Sequence, residues 1–352
     1  MTTPALSTQR SRMAMLGALV LGLTVVVMAM LAAFSLPAVH GEPRHVPLGV
    51  TGPQRALDVT RAGLAGDAWD VEVYGDRAAL AAAVKGHEIS GGFALGPDGI
   101  DVYTASAGGT PVATAISAAG SALAERQRTT ADVHDLVAFP SDDPRGAGFG
   151  AVTLPMMFAG ILPAVMLIRL FPGSANLRLR IAGAFGFALA AGAALTAFLQ
   201  YGAGSLAGDY WRSAAGLALG MAAVSITALG LDTLLGYAGV MIMMALTIFL
   251  GNPLSGLSTG PHWLPDGWST LGQLLPLGAS GSLLRATAFF DGAGAAFPVL
   301  VLAGWIVFGL TLVLIAAHRP SRQARRDAGE IENIRDANPG DTWPTEVQRA
   351  PV

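Results

Sequence analysis

The chain has 352 residues, of which 52% are apolar and only 13% charged, about half the charged fraction of a typical soluble domain. The charges cluster, leaving several windows of about 20 residues nearly free of them, the length needed to cross a bilayer core. A net charge of −3 gives no basis for a nucleic-acid partner, and the absence of cysteine excludes disulfides, a thiol nucleophile and thiolate metal sites.

The pattern predicts a polytopic α-helical membrane protein with six transmembrane helices and an inserted small α/β domain outside the membrane. Residues 1–12, with Arg10 and Arg12, read as a cytoplasmic N-terminus, and Met13–Leu36 as the first span. That apolar run exceeds the 7–15 residues of a secretory leader, and "SLPAVHGEP" after it offers no convincing cleavage site, so an uncleaved anchor is expected.

Residues 40–150 are hydrophilic and long enough for a small domain. "HVPLGVTG" and "WDVEVYG" read as strands, each followed by a helical run. "SGGFALGPDGIDVYTAS" reads as a hairpin turning at Pro97–Gly99, "TPVATAISAAGSALAERQR" as a helix and "DVHDLVAFP" as a closing strand. The β-α-β-α-β-β-α-β order predicts a small α/β domain outside the membrane.

Residues 151–317 carry five further spans: Val152–Phe171, Ile181–Gln200, Ser213–Leu231, Leu234–Leu250 and Phe297–Ala317. The fourth and fifth are separated by Asp232 and Thr233, which predicts a tight helical hairpin turning there. Residues 318–352 are polar, contain proline and lack apolar periodicity, so they read as a disordered cytoplasmic tail. Arginines fix the expected orientation. Arg10, Arg12, Arg169, Arg178, Arg180, Arg319, Arg322, Arg325 and Arg326 fall on one side, against Arg212 and Arg285 in the short loops of the other. By the positive-inside rule both termini are cytoplasmic, in a multi-pass protein of the cell membrane.

Catalytic constellations are missing. The only lysine, Lys85, sits in "AVKGHE", so no P-loop exists and ATP hydrolysis through one is excluded. The six histidines have no metal-ligand spacing and read as solvated or hydrogen-bonded side chains. Asp142 and Asp143 in "SDDPRG" could serve acid–base chemistry or calcium, but a proline-containing turn into the second span explains them as well. Ionisable residues are scarce inside the spans, which argues against a proton-coupled carrier. Gly216 and Gly220 have the GxxxG spacing that lets helix backbones approach, and generic packing within the chain is the simpler reading of it.

Between the last two spans runs "LPDGWSTLGQLLPLGASGSLLRATAFF", Leu264–Phe290. Its apolar residues Leu271, Leu274, Leu275, Leu283 and Leu284 fall at helical spacing, interrupted by Pro276–Gly278. Two short amphipathic helices with a break are predicted, too short to span but able to dip into the outer leaflet. We read residues 252–295 as a re-entrant outer segment whose gate residues are Asn252, Pro253, Pro265, Gln273, Pro276, Gly278 and Arg285.

With "LGNPLSG" (250–256), "LGQLLPLGASGSLLRATAFFDGAG" (271–294), "HVPLGVTGP" (45–53), "ISGGF" (89–93) and "SDDPRGAGFG" (141–150) in this order, the chain resembles the permease subunits of type-2 ABC exporters. The likeness is to the variety with a large extracytoplasmic domain between the first two spans. It implies a permease dimer, with a second copy or a paralogue, driven by a separate ABC ATPase subunit that carries the ATP. It also implies outward movement of an amphiphile or glycan and no cofactor or enzymatic activity in this chain. The short N-terminus leaves little room for the long interfacial helix of many such permeases. Coupling to the ATPase is therefore expected through Arg169, Arg178, Arg180 and Asp232. The rival reading is a non-transporting membrane receptor or scaffold whose outer domain binds a ligand or partner.

Overall fold

The computed structural model describes residues 4–39, 41–265 and 267–317; the expected tail at 318–352 lies outside the described residues. Six helices are long and apolar enough to cross a membrane, as a multi-pass helical membrane protein requires: Met13–Leu36, Ala147–Leu170, Leu177–Gly202, Tyr210–Leu235, Tyr237–Leu254 and Ala296–Ala317. Each matches a predicted span to within a few residues.

Helix α1 (Pro4–Val39) contains the first of these. The small α/β domain follows as β1 (Val46–Thr51), α2 (Gln54–Gly63), β2 (Trp69–Val73), α3 (Arg77–Lys85), β3 (Gly91–Leu95), β4 (Gly99–Thr104), α4 (Thr110–Gln127) and β5 (Thr130–Asp135). The order is the predicted one, with β5 starting two residues before the expected strand. The five strands form one sheet in the order β2-β1-β3-β4-β5, with β3 and β4 antiparallel and every other pair parallel. Both faces are covered, which is why β1 and β3 are buried almost throughout. On one face Leu57, Val112, Ile116 and Leu123 pack on Leu48, Val50, Phe93 and Val102. On the other, Leu80 and Val84 of α3 pack with Ile89 and Ala94, and Gly49 leaves the room, since a Cβ there would lie 2.2 Å from Leu80 Cδ1.

The linker from the sheet ends in a turn in which the Asp143 carboxylate accepts from the Ala147 and Gly148 amides, both at 2.8 Å. Burial pushes its pKa up, but the Gly148 amide, the Ser205 hydroxyl, the Ala147 amide and Arg145 outweigh it and hold the carboxyl below its ordinary value. Asp143 thus starts the second span as a cap, in line with the turn reading.

Helices α5 (Ala147–Ala151) and α6 (Thr153–Leu170) form the second span, and α7 (Leu177–Ala197) runs into a π-helical turn, Phe198–Gly202. Helix α8 (Tyr210–Leu235) is the axis of the bundle, packed against α6, α7 and the later helices. Small residues allow this. Gly160 of α6 admits Val224, Gly192 of α7 approaches the Ala214 carbonyl, and the Ser225 hydroxyl donates to Gly160 O. Helix α8 continues through Asp232 and Thr233, so the chain reverses at Gly236 (φ 61°) rather than at the expected pair. Only glycine is at ease in that backbone conformation.

Helix α9 (Tyr237–Ala245), a π-helical turn Leu246–Gly251 and α10 (Asn252–Leu254) make the fifth span. Asn252 and Pro253, expected at the start of the re-entrant segment, therefore belong to the end of a span. Next come the short helices α11 (Trp268–Leu274) and α12 (Pro276–Phe289), and α13 (Ala296–Ala317) is the sixth span. Helix α13 crosses α8 closely where Gly230 faces Gly309, and the Thr227 hydroxyl donates to Trp305 O.

Two short helices with a break were predicted and are present, but the break lies one residue earlier. Leu275 is extended (φ −84°, ψ 148°), and Pro276 opens α12 at a position where proline's missing N–H costs nothing. Helix α12 is also not amphipathic in place: all its residues from Pro276 to Ala288 except Ser282 are buried. It lies against α8 and α13, with Leu283 over Gly216 and Ser280 over Gly220, so those two glycines seat a helix of the same chain. Gly278 is no helix breaker either, because its Cβ position is 2.1 Å from the Gly272 carbonyl oxygen. Gly278→Ala is therefore expected to destabilise by about 1–3 kcal/mol through overpacking, and Pro276→Ala by about 1 kcal/mol at most. Thermal unfolding in mild detergent checks the order, and equal effects would show that the α11–α12 crossing can relax.

Candidate functional site

The six spans alternate in direction, so the α/β domain, the α11–α12 pair and the N-terminal ends of α8 and α13 share one end of the bundle. There the second face of the sheet meets the helices: Phe290, which follows α12, packs among Leu80, Val84, Ile89 and Ala105. Backbone approach is equally close. Gly109 (φ 155°) would carry a Cβ 2.8 Å from Thr259 O, and Arg44 N donates to His262 O at 3.1 Å.

Arg285 holds this junction. It is 3% exposed and has no carboxylate partner among the described residues. Its Nη1 donates to the carbonyls of Ala107 and Gly108 in the domain, at 3.0 Å for Ala107, and its Nη2 to those of Gly256 and Leu257, at 3.3 and 2.6 Å. The guanidinium also lies 5.0 Å from the centre of the Phe149 ring. Burial pushes its pKa down to about 10, so the group stays cationic at neutral pH.

A cavity of about 250 Å³ opens beside Arg285. Apolar walls come from Pro47, Ile89, Val112, Phe290 and Phe297, and polar groups from His87, His262, Gln273 and Ser282. His87 stacks on Phe290 (4.0 Å between ring centres), and its Nδ1 is buried without a hydrogen bond. Gln273 donates to Ser255 O and accepts from the Ser282 hydroxyl, which joins α11 to α12. The arrangement is an amphipathic recess with the exposed Glu88 among its lining residues and the carbonyl-bound Arg285 guanidinium beside it.

Burial lowers the pKa of both His87 and His262; for His87 the Ala293 carbonyl opposes this, and Arg285 and His262 add to it. For His262 the Arg44 carbonyl, Asp70 and the His45 carbonyl oppose burial, and His45 adds to it. Both rings are neutral at pH 7. As pH falls below about 6.5, the unfolded chain takes up these protons first, so stability is full above that value and is lost on acidification through it. The unfolding temperature is expected to drop as pH falls below about 6.5, and less steeply in a His87→Asn/His262→Gln variant. Asn suits position 87, whose φ is 56°. Parallel pH curves would remove the histidines from the account. Asp143 acts only at lower pH, since a depressed carboxyl pKa loses its contribution below the ordinary carboxylate range.

Among the expected gate residues, Arg285 and Gln273 line the cavity, while Pro276 and Gly278 build the α11–α12 joint beneath it. Pro265 is half-buried in the loop ahead of α11, and Asn252 and Pro253 stand in α10. At the opposite end of the bundle Arg169 and Arg178 are exposed. Arg180 is not a surface residue: it is buried, donating from Nε to Phe171 O at 2.7 Å and pairing with Asp232 at 3.3 Å. Both charges are spent on each other, so of the three arginines expected to couple, Arg169 and Arg178 are the exposed ones.

His87, His262, Phe149 and Phe290 were not read as site residues. Nothing local marks them, because their neighbours arrive from distant segments. The same holds for Asp101, Asp132 and His134, which strand pairing brings together. Arg77 already engages Asp101 at 2.7 Å, so that group is an ion-pair network on the sheet. Comparison with protein-family models, curated proteins and solved structures found no match to the chain.

Proposed function

We propose that the chain is the transmembrane permease subunit of an ATP-driven exporter of the type-2 ABC class. In this reading it moves an amphiphilic, lipid-, drug- or glycan-like substrate outward, with a separate ATPase subunit and a second permease copy or paralogue. The observation that carries the reading is the non-spanning pair α11–α12 between the last two spans, of which α12 is buried and bound through Arg285 to the α/β domain. Such an element closes one end of a helix bundle without crossing it, and its only charged side chain is satisfied by carbonyls of both the domain and the loop. Movement of the domain therefore acts directly on the closure. The arginine distribution supports a reading with this end outside and Arg169 and Arg178 inside, facing the ATPase. No P-loop is present in the sequence, so the work comes from the partner.

Co-purification in mild detergent followed by reconstitution tests this. An ATPase subunit is expected to remain bound, the pair to move an amphiphile only with ATP, and Arg178→Glu to weaken the association. A chain that binds a ligand through its α/β domain but retains no ATPase would instead be the receptor or scaffold. Orientation is tested with single cysteines on the cysteine-free background. Asp58→Cys is expected to react with an impermeant thiol reagent in intact cells, and Tyr237→Cys is not; labelling at 237 overturns the orientation.

A further inference from the structure

Beside the domain end of α8 lies a groove of about 420 Å³. Its floor is apolar: Ala215, Gly216 and Leu219 of α8 face Leu283 of α12 and Val299 of α13. The groove exists because Gly216 and Ala215 carry almost no side chain where Leu283 approaches; a Cβ on Gly216 would stand 3.2 Å from Leu283 Cγ. The one hydroxyl on the floor, Thr287, is engaged by the Leu283 and Leu284 carbonyls and by Ser213. Nothing polar is left below the mouth.

The mouth is charged. The Arg212 guanidinium donates from one nitrogen to Asp291 O at 3.0 Å and has no carboxylate within ion-pair distance among the described residues. The Asp291 carboxylate likewise has no ion pair among them. Asp209 is engaged as the cap of α8, accepting from Arg212 N. Arg212 stands in the first turn of a span, next to exposed Trp211 and near Tyr201 stacked on Tyr210, an aromatic set of the kind that marks headgroup depth. A cation and an anion at headgroup level above an apolar furrow match one occupant.

We propose that this groove binds a zwitterionic phospholipid of the phosphatidylethanolamine type. Its phosphate sits on Arg212, its ammonium on Asp291 and one acyl chain lies between α8, α12 and α13. An anionic lipid meets repulsion from Asp291, and a choline headgroup offers that carboxylate no hydrogen-bond donor. The inference requires only that the helices lie in a bilayer and is independent of the export reading.

Native mass spectrometry of the delipidated full chain, titrated with phosphatidylethanolamine, phosphatidylglycerol or phosphatidylcholine, is the test. One phosphatidylethanolamine is expected to bind in preference to the other two. Arg212→Gln weakens it about tenfold, corresponding to loss of one charge-assisted contact. Asp291→Asn, which keeps a residue tolerant of φ 51°, removes the preference over phosphatidylglycerol, and Ala215→Phe fills the furrow and abolishes binding of all three. Unchanged unfolding temperatures show that the variants are folded. Tighter binding of phosphatidylglycerol, or an Arg212→Gln variant that binds like the parent, overturns the proposal. So does efficient cross-linking of Ala215→Cys between two chains in native membranes, which would place a second copy on the groove.

Discussion

Arg285→Ala is expected to destabilise the protein by about 3–5 kcal/mol, because four carbonyl oxygens lose their donor at once and a buried unsatisfied group costs about 1–3 kcal/mol. Water entering from the neighbouring cavity offsets part of the full sum. The loss falls on two segments, residues 107–108 of the domain and 256–257 of the loop, so the domain should loosen from the bundle before either unit unfolds. Arg285→Lys should recover only part of the stability. A compact ammonium has three donors and cannot reach both segments in the planar geometry of the guanidinium, nor lie flat over Phe149. Thermal unfolding in detergent gives the magnitude, and protease cleavage between residues 256 and 263 reports the loosening. If the alanine variant resists protease like the parent, the Gly109–Thr259 contact and the Phe290 packing hold the junction without Arg285.

Asp232→Ala is expected to cost a similar amount, about 3–5 kcal/mol, because it strands a buried guanidinium. The Arg180 side chain is 7% exposed and that of Asp232 14%, so solvent cannot replace the lost partner, and Phe171 O supplies only one acceptor. Replacing both residues together, Arg180→Met with Asp232→Leu, should restore most of the stability, since the desolvation of both charges disappears with the pair. The double variant also separates two roles. If it unfolds like the parent and still retains the ATPase, the pair is structural. If it is stable but loses the ATPase, the pair belongs to the coupling surface after all. A loss below about 1 kcal/mol for Asp232→Ala would mean that Arg180 swings out to water on its long stem.

The spans and the strand–helix order of the domain were legible because both rest on local periodicity. A run of about 20 apolar residues reads as a span without knowledge of its neighbours. "HVPLGVTG" and "SGGFALGPDGIDVY" likewise carry their own turn signals. What stayed hidden depends on segments far apart in the chain. Arg285 read as an exterior loop cation because nothing within ten residues says that carbonyls from 107–108 and 256–257 will surround it. Arg180 read as a surface charge for the same reason, its partner being 52 residues away. Helix α12 misled in another way: leucines at helical spacing suggested one apolar stripe, yet Gly278, Ala279, Ser280 and Gly281 make the other faces small enough to bury too. Small residues look neutral on a hydropathy scale and decisive in a packed bundle.

The central position of α8 has a consequence for how the chain is made. Helices α6 and α7 leave the ribosome before it, and both bury their inner faces mainly against it. Until about residue 235 has been synthesised, the glycine- and alanine-lined sides of those two spans have only each other, the translocation machinery or lipid to lie against. Helices α12 and α13 then arrive last and cover the remaining sides of α8. A defect in α8 should therefore surface early, as poor membrane integration of spans whose own sequences are intact. A defect in α12 should surface late, as a fully inserted chain whose α/β domain has nothing to dock on.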